Sequence, residues 1–148
     1  MMDEHETQRD QLRRIATRHQ IARSSDAFFE RTQSLAGLAV SAELRTAQVR
    51  NLETLAYSTD KVSDLLDSLK KLIGRSNPGQ RWRYQNLGDH MLDALSDLRD
   101  DARKIVKVVG ETYAPLPEDL ERQLHLELCR EYLKHFAAHY LYSRPEGR

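Results

Sequence analysis

Apolar residues recur at steps of three and four through most of the chain, which is the spacing of one face of an α-helix. The clearest run lies between Thr46 and Arg75 and predicts one long amphipathic helix with a buried face. Its apolar positions are Val49, Leu52, Leu55, Ala56, Val62, Leu65, Leu66, Leu69, Leu72 and Ile73. Ser41 or Thr46 is a suitable N-cap, and Gly74 followed by Ser-Asn-Pro-Gly at 76–79 ends the helix.

The N-terminal third has a weaker helical pattern, from Asp3 to about Val40. It predicts one bent helix or two shorter ones, because the step Ser24-Ser25-Asp26 is able to re-cap or kink a helix. The apolar and aromatic positions that share one side are Leu12, Ile15, His19, Ala22, Phe28, Phe29, Leu35 and Leu38.

Two more helices are predicted in the C-terminal half. One runs from about Asn86 to Val109 and is stopped by Gly110, and the last runs from about Glu118 to Tyr142 after Pro117. Alternation of period two, the pattern of a β-strand, is absent. We therefore predict an all-α fold, a compact bundle of four to five helices in a single domain spanning residues 1–148.

The chain's charge is balanced overall, with 23 Lys and Arg against 23 Asp and Glu, so composition alone gives no attraction to nucleic acid. The charges are nevertheless segregated. The first basic group is Arg9, Arg13, Arg14, Arg18 and Arg23. The second is Lys70, Lys71, Arg75, Arg81 and Arg83, with Trp82 and Tyr84 between the last cations. The acidic counterpart is Asp89, Asp93, Asp97, Asp100 and Asp101.

Cations beside aromatic rings hold phosphates electrostatically and offer surfaces on which bases stack. Polar groups at the start of the long helix add to this, since a helix N-terminus attracts anions. The candidate nucleic-acid-binding residues are Arg13, Arg14, Arg18, Gln48, Arg50, Lys71, Arg75, Arg81, Trp82 and Arg83. The alternative interpretation is that these charges only solvate helix faces and that Trp82 covers one end of the bundle.

No metal or cofactor site is predicted. Cys129 is the only cysteine and has no neighbouring ligand at zinc-site spacing, so we expect a buried thiol in a reducing compartment. The segment MMDEHETQRD is charged where a secretory signal has an apolar run, and no window approaches about 18 continuous apolar residues. We expect a soluble, cytoplasmic protein without membrane contact.

Arg130 and His135 resemble the Arg-x4–6-His motif of HEPN-type helical ribonucleases. In that family the histidine is an acid/base or activating group and the arginine stabilises developing phosphate charge. The pair is the alternative catalytic site, and it implies a ribonuclease or toxin. The structural alternative is that His135, with His139 one turn beyond, is a polar-face or interface histidine.

A second resemblance covers the chain from Thr46 onward. The segment Thr-Ala-Gln-Val-Arg at 46–50, the pair Gly74-Arg75 and the closing run FAAHYLY are similar to motifs of the small α-helical subunit of type III CRISPR effector complexes. Ala47 stands where the family usually has Ser, and His139-Tyr140 reverses the usual Tyr-His order. The resemblance implies a non-catalytic subunit of an antiviral defence complex that stacks in copies and holds the guide–target RNA duplex, with Gln48, Arg50 and Arg75 as contacts.

The resulting functional prediction is a non-catalytic RNA-binding subunit of a ribonucleoprotein complex. Its expected partners are RNA, contacted along the backbone, other protein subunits and further copies of itself. The alternatives are the HEPN-like ribonuclease and a helical protein–protein adaptor.

Overall fold

The structure is a computed structural model that describes residues 4–75 and 81–145. These residues form six α-helices and one 3-10 turn, without a β-strand in the described ranges. The elements are α1 Glu4–Arg31, α2 Gln33–Ser41, α3 Thr46–Ser58, α4 Val62–Arg75, the 3-10 turn Arg81–Asn86, α5 Leu87–Tyr113 and α6 Leu120–Ser143. The predicted all-α bundle is confirmed, although it has more helices than the expected four to five.

Helix α6 is the central element and packs against all five other α-helices. Its sequence allows this because large apolar and aromatic side chains occupy several faces. The buried set on α6 includes Leu124, Leu128, Cys129, Tyr132, Leu133, Phe136 and Tyr140. The hydroxyl of Tyr140 donates a hydrogen bond to the carbonyl oxygen of Leu44 in the α2–α3 connection, which holds that connection against the last turns of α6.

The predicted long helix from Thr46 to Arg75 is wrong, because the chain breaks between α3 and α4. Thr59 has extended backbone angles, φ −98° and ψ 148°. The buried positions of α3 end at Ala56 and those of α4 begin at Leu65, nine residues later. Nine residues make about two and a half helical turns, so one straight helix would place the two buried rows on opposite sides. The break allows α3 to pack on α6 while α4 packs mainly on α5.

The N-terminal third forms two helices, which is one of the two predicted arrangements. The break between them lies at Thr32 and not at Ser24-Ser25-Asp26. The hydroxyl of buried Thr32 donates to the carbonyl oxygen of Phe28 at 2.7 Å. The predicted apolar side is only partly buried, because Phe28 is inaccessible whereas Leu12 and Ile15 are exposed. Packing of α1 therefore uses only part of the face that the sequence pattern marks.

Gly110 does not stop α5, which continues to Tyr113. A Cβ at Gly110 would lie 3.3 Å from Cδ1 of Leu116, so glycine gives the α5–α6 connection room to pack against the helix. The predicted turn at 76–79, together with Gln80 and Asp3, lies outside the described residues.

Candidate functional site

The second predicted basic group lies at one end of the bundle, where the 3-10 turn meets the connection between α2 and α3. The guanidinium of Arg81 donates from Nη1 to the carbonyl oxygen of Glu43 at 2.7 Å. Glu43 has a left-handed backbone, φ 61°, in the tight connection between the two helices. The end of α4 also packs against the 3-10 turn. The connection that leads into α3 and helix α4 therefore both contact the 3-10 turn.

We call this surface the basic end and define it by the cations that it carries. These are Arg45, Arg50, Lys71, Arg75, Arg81 and Arg83. In one continuous helix, Arg50 and Arg75 would be about 38 Å apart. The break after α3 changes this, because the connection that leads into α3 is bonded to the 3-10 turn through Arg81 and α4 packs against the same turn. The sequence pattern missed Arg45, and its position directly before the first turn of α3 was the available signal.

Most cations of the basic end are open to solvent. Arg50, Lys71, Arg75 and Arg83 are exposed, and Nε of Arg75 donates to the carbonyl oxygen of Lys71 at 3.5 Å. Arg81 is half-buried because of its bond to the α2–α3 connection. Arg81 and Arg83 thus lie on the 3-10 turn, Lys71 and Arg75 lie on the helix that packs against it, and Arg50 lies in the second turn of α3.

The sequence predicted that the ring of Trp82 stacks on bases, but Trp82 is only 2% exposed in the structure. Trp82 belongs to the hydrophobic core, and its backbone carbonyl oxygen lies beside the contact between Ile73 of α4 and Gly88 in the first turn of α5. Tyr84, at 41%, is the exposed aromatic residue of the 3-10 turn, and Nε2 of Gln85 donates to its hydroxyl at 3.3 Å. Positive φ angles at Gln85 and Asn86 end the turn and start α5.

Gln48 has a structural task that the sequence pattern did not predict. Its Oε1 accepts a hydrogen bond from the backbone N–H of Arg45 at 2.9 Å. This N–H precedes the first turn of α3, where backbone donors have no partner within the helix. The amide oxygen of Gln48 is therefore used for capping.

The first predicted basic group lies far from the basic end. Nη2 of Arg9 donates to the carbonyl oxygen of Ala114 at 2.6 Å, just beyond the last residue of α5. The basic end adjoins the first residue of α5, and the 27 residues of this helix span about 40 Å. Arg13 is partly buried and paired with Asp10 at 2.9 Å. Arg14 and Arg18 are exposed and border a groove of about 400 Å³ between α1 and the start of α6.

Arg130 is a structural residue in this fold. Its Nε donates to the carbonyl oxygen of Ala56 at 2.9 Å, and its Nη2 donates to that of Thr59 at 3.1 Å. Its Nη1 is 2.6 Å from Oε1 of Glu127, and its guanidinium lies 5.6 Å from the ring centre of Tyr57. The C-terminal carbonyls of a helix have no partner within the helix, so Arg130 caps α3 and stabilises the break before α4.

His135 faces α1, whereas Arg130 faces α3. Nε2 of His135 lies 2.8 Å from the hydroxyl oxygen of Ser25. The same hydroxyl donates its proton to Oε2 of Glu131 at 2.7 Å. With that proton used, the hydroxyl must accept from His135, so Nε2 carries a hydrogen. One turn further, Nε2 of His139 bonds to the carbonyl oxygen of Phe29 at 2.5 Å.

This Ser-His-Glu cluster differs from a nucleophilic triad, in which the histidine accepts the serine proton. Ser25 is buried, and its proton is directed to the carboxylate. Burial lowers the pKa of His135, and the positive charge of Lys134 lowers it further. Burial raises the pKa of Glu131, but hydrogen bonds from Lys134 and Ser25 outweigh this and leave the pKa below its usual value. The cluster joins α1 to α6.

The described residues 4–75 and 81–145 contain no group of three or more His, Cys, Asp or Glu side chains arranged to hold a metal ion. Over the same ranges, none of the helices combines the length and the apolar character that crossing a membrane requires.

Comparison with known proteins adds no family to this description. No protein-family model, no curated protein and no solved structure matches the chain.

Proposed function

We propose that this chain is a non-enzymatic RNA-binding subunit of a larger ribonucleoprotein assembly and that RNA is held at the basic end. The observation that carries the proposal is the hydrogen bond from Arg81 to the carbonyl oxygen of Glu43. It joins the 3-10 turn, which carries Arg81 and Arg83, to the connection that leads into α3 and Arg50, and α4 with Arg75 packs on the same turn.

The chemistry of this surface suits a phosphate backbone. The charged heads of Arg50, Arg75 and Arg83 are accessible, and each phosphate that they neutralise releases condensed counterions. The molecule has a net charge of zero, so attraction depends on this local concentration of positive charge. Contacts of this kind hold the backbone without reading bases.

The structural use of Arg130 and His135 supports the non-enzymatic part of the proposal. Arg130 caps α3, and His135 is bonded to Ser25 on α1. Residues five positions apart on a helix differ in direction by about 140°, which agrees with their contacts to different helices. An active site needs its arginine and histidine directed at one phosphate.

We propose further that the assembly is of the type III CRISPR kind, as the resemblance at Gln48, Arg50 and Arg75 implies, and acts in the cytoplasm in antiviral defence. Arg50 and Arg75 have the accessibility that this role requires. Gln48 is left with its amide nitrogen as an RNA donor, because its oxygen caps α3.

A charge-reversal experiment tests the RNA-binding proposal. Fluorescence anisotropy would follow binding of a labelled RNA of about 20 nucleotides at several salt concentrations. The test variant combines Arg50→Glu, Arg75→Glu and Arg83→Glu. The matched control has the same change in net charge, Lys104→Glu, Lys107→Glu and Arg122→Glu, at exposed positions of α5 and α6.

We expect the test variant to lose at least about tenfold in affinity and to reduce the slope of log affinity against log salt by about 2 to 3, with the control close to wild type. Equal losses in both variants would contradict a site at the basic end. Wild-type protein without salt-dependent binding would support a protein–protein adaptor instead. RNA cleaved during the titration would overturn the non-enzymatic part.

A further inference from the structure

The groove of about 400 Å³ between α1 and the start of α6 has walls that are fixed on both sides. One turn before its first lining position on α1, Arg9 donates to the carbonyl oxygen of Ala114 at 2.6 Å. One turn after its last lining position on α1, Ser25 donates to Glu131 at 2.7 Å. We call it the α1–α6 groove. Its main lining residues are Arg14, Arg18, Ile21, Pro117, Leu120 and Leu124.

The α1–α6 groove has an apolar floor and a basic rim. Leu120 is 8% exposed and Leu124 is 2% exposed, and the half-buried Ile21 packs against the same core. Arg14 and Arg18, in contrast, are exposed. A mainly apolar lining with a small number of convergent polar groups is typical of sites for small molecules, whose volumes run from about 300 to about 1,000 Å³.

The positive charge of the rim is not balanced by the other charged lining residues, which are Arg13 and Glu127. Arg13 is paired with Asp10 at 2.9 Å, and Glu127 is paired with Arg130 at 2.6 Å. Within the described part of the chain, neither Arg14 nor Arg18 has an ion pair or a side-chain hydrogen bond. The α1–α6 groove therefore keeps two uncompensated positive charges.

The acids at the start of α6, which are Glu118, Asp119 and Glu121, do not line the groove. Asp119 accepts a hydrogen bond from Gln123 at 2.6 Å. Glu121 faces α5, where its two carboxylate oxygens are bonded to two arginines. Two of the three acids nearest the groove thus already have partners elsewhere.

Arg14 and Arg18 are four positions apart on α1, so their Cβ atoms lie about 5 to 6 Å apart on one face. Like charges at this spacing repel each other and destabilise a helix. An anion bound between the two guanidinium groups would remove the repulsion. Guanidinium forks match the oxygen atoms of phosphate, which they bind through two parallel hydrogen bonds.

We propose that the α1–α6 groove binds a phosphate monoester whose organic part has the size of a nucleoside. The phosphate lies between Arg14 and Arg18, and the organic part covers Leu120 and Leu124. A phosphate monoester carries a charge of about −1.5 to −2 at pH 7, which matches the two free cations. A free nucleoside monophosphate and the phosphorylated end of an RNA strand both supply this chemistry. The groove is distinct from the basic end and does not depend on RNA binding there.

Isothermal titration calorimetry at low salt tests the proposal with adenosine monophosphate, adenosine and inorganic phosphate as separate ligands. We expect adenosine monophosphate to bind at least about tenfold more tightly than either of its parts. Arg14→Gln combined with Arg18→Gln should weaken its binding at least about tenfold. Lys104→Gln combined with Lys107→Gln, at exposed positions of α5, changes the net charge equally and should leave the affinity unchanged.

A short RNA with a terminal phosphate distinguishes the two sources. It would be titrated into the Arg50→Glu, Arg75→Glu and Arg83→Glu variant, in which the basic end is disabled. Tighter binding than adenosine monophosphate assigns the groove to an RNA end, and equal or weaker binding assigns it to a free nucleotide. Absence of binding by both phosphorylated ligands would overturn the proposal. Equal affinities for adenosine and adenosine monophosphate, or unchanged binding in the Arg14 and Arg18 variant, would also overturn it.

Discussion

Ser25 of α1 and His135 of α6 are joined by a hydrogen bond of 2.8 Å, in which the histidine donates. The direction follows from the second bond of Ser25, whose proton goes to Glu131. A neutral histidine with its hydrogen on Nε2 already satisfies the arrangement. This contact is therefore an interhelical hydrogen bond, and its strength depends on the protonation of His135 and Glu131.

We predict that acid weakens the fold through His135. Its pKa is lowered in the folded protein, so below the ordinary value of 6.5 the unfolded chain binds more protons than the folded one. The free energy of unfolding then falls as the pH drops from about 7 through this window. Urea unfolding at a series of pH values would measure it. His135→Gln keeps an N–H for Ser25 and should flatten the slope.

The matched control for this prediction is His90→Gln, at an exposed position of α5. It should leave the slope of unfolding free energy against pH near that of wild type. The pKa of Glu131 is also lowered from 4.5, so its contribution is lost at more acidic pH and in the same direction. A wild-type slope in His135→Gln between pH 7 and 5 would contradict the role assigned to His135.

We predict that Arg130 stabilises the fold by capping α3. Arg130→Ala removes two hydrogen bonds to backbone carbonyls, those of Ala56 and Thr59, and should lower the free energy of unfolding by about 2 kcal/mol. Arg130→Lys should recover part of the loss, because one ammonium group cannot make both bonds in the same geometry. Arg122→Ala, at an exposed position of the same helix, should change it by less than about 0.5 kcal/mol. Equal stability of Arg130→Ala and wild type would contradict the capping role.

The helical class and the buried rows of α5 and α6 could be predicted because one repeating pattern governs each of these helices. The predicted row from Leu87 to Val109 contains the buried Met91, Leu95 and Leu98, on a helix that packs against α6 and α4 in the structure. The break at Thr59 was also present in the sequence, as the nine-residue interval between Ala56 and Leu65. Apolar residues such as Val62 lie within that interval, so the helical pattern looks continuous there although the buried side changes.

The candidate site was less predictable because its contacts are long-range. Arg81 and Glu43 are 38 positions apart, and Arg130 and Ala56 are 74 apart. Local patterns indicate which side chains are charged or aromatic, but only tertiary packing decides that Trp82 is buried while Arg83 is open. The same limit applied to α1, where core-like spacing at Leu12 and Ile15 did not lead to burial.

We predict that Gly88→Ala destabilises the junction of α4 and α5. An added Cβ would lie 2.5 Å from both Cγ1 and Cδ1 of Ile73 and 3.0 Å from the carbonyl oxygen of Trp82. Overpacking of this kind costs about 1 to 3 kcal/mol in the free energy of unfolding. The cost should shrink in an Ile73→Ala background, because the clashing atoms are then absent, and urea unfolding of the four proteins would measure the coupling.

Gly37→Ala is the control for the Gly88 prediction. Gly37 lies in α2, and a Cβ added there would meet no neighbouring side chain within 4 Å. Alanine should therefore raise the free energy of unfolding by up to about 1 kcal/mol through its higher helix propensity. A similar gain at Gly88 would show that α4 and α5 are not packed as described.

We predict that Cys129 is inert in the folded protein. Burial raises the pKa of its thiol to about 12, and Sγ donates to the carbonyl oxygen of Leu95 at 3.6 Å. The thiolate is the reactive form, so Ellman's reagent should label Cys129 only when the chain opens, with a rate that rises in urea. A Ser34→Cys variant adds a thiol at an exposed position of α2 and should react with one equivalent at once and the second slowly. Rapid labelling of Cys129 in native wild-type protein would show that the centre of α6 is accessible, and the packing of five helices around it would then be wrong.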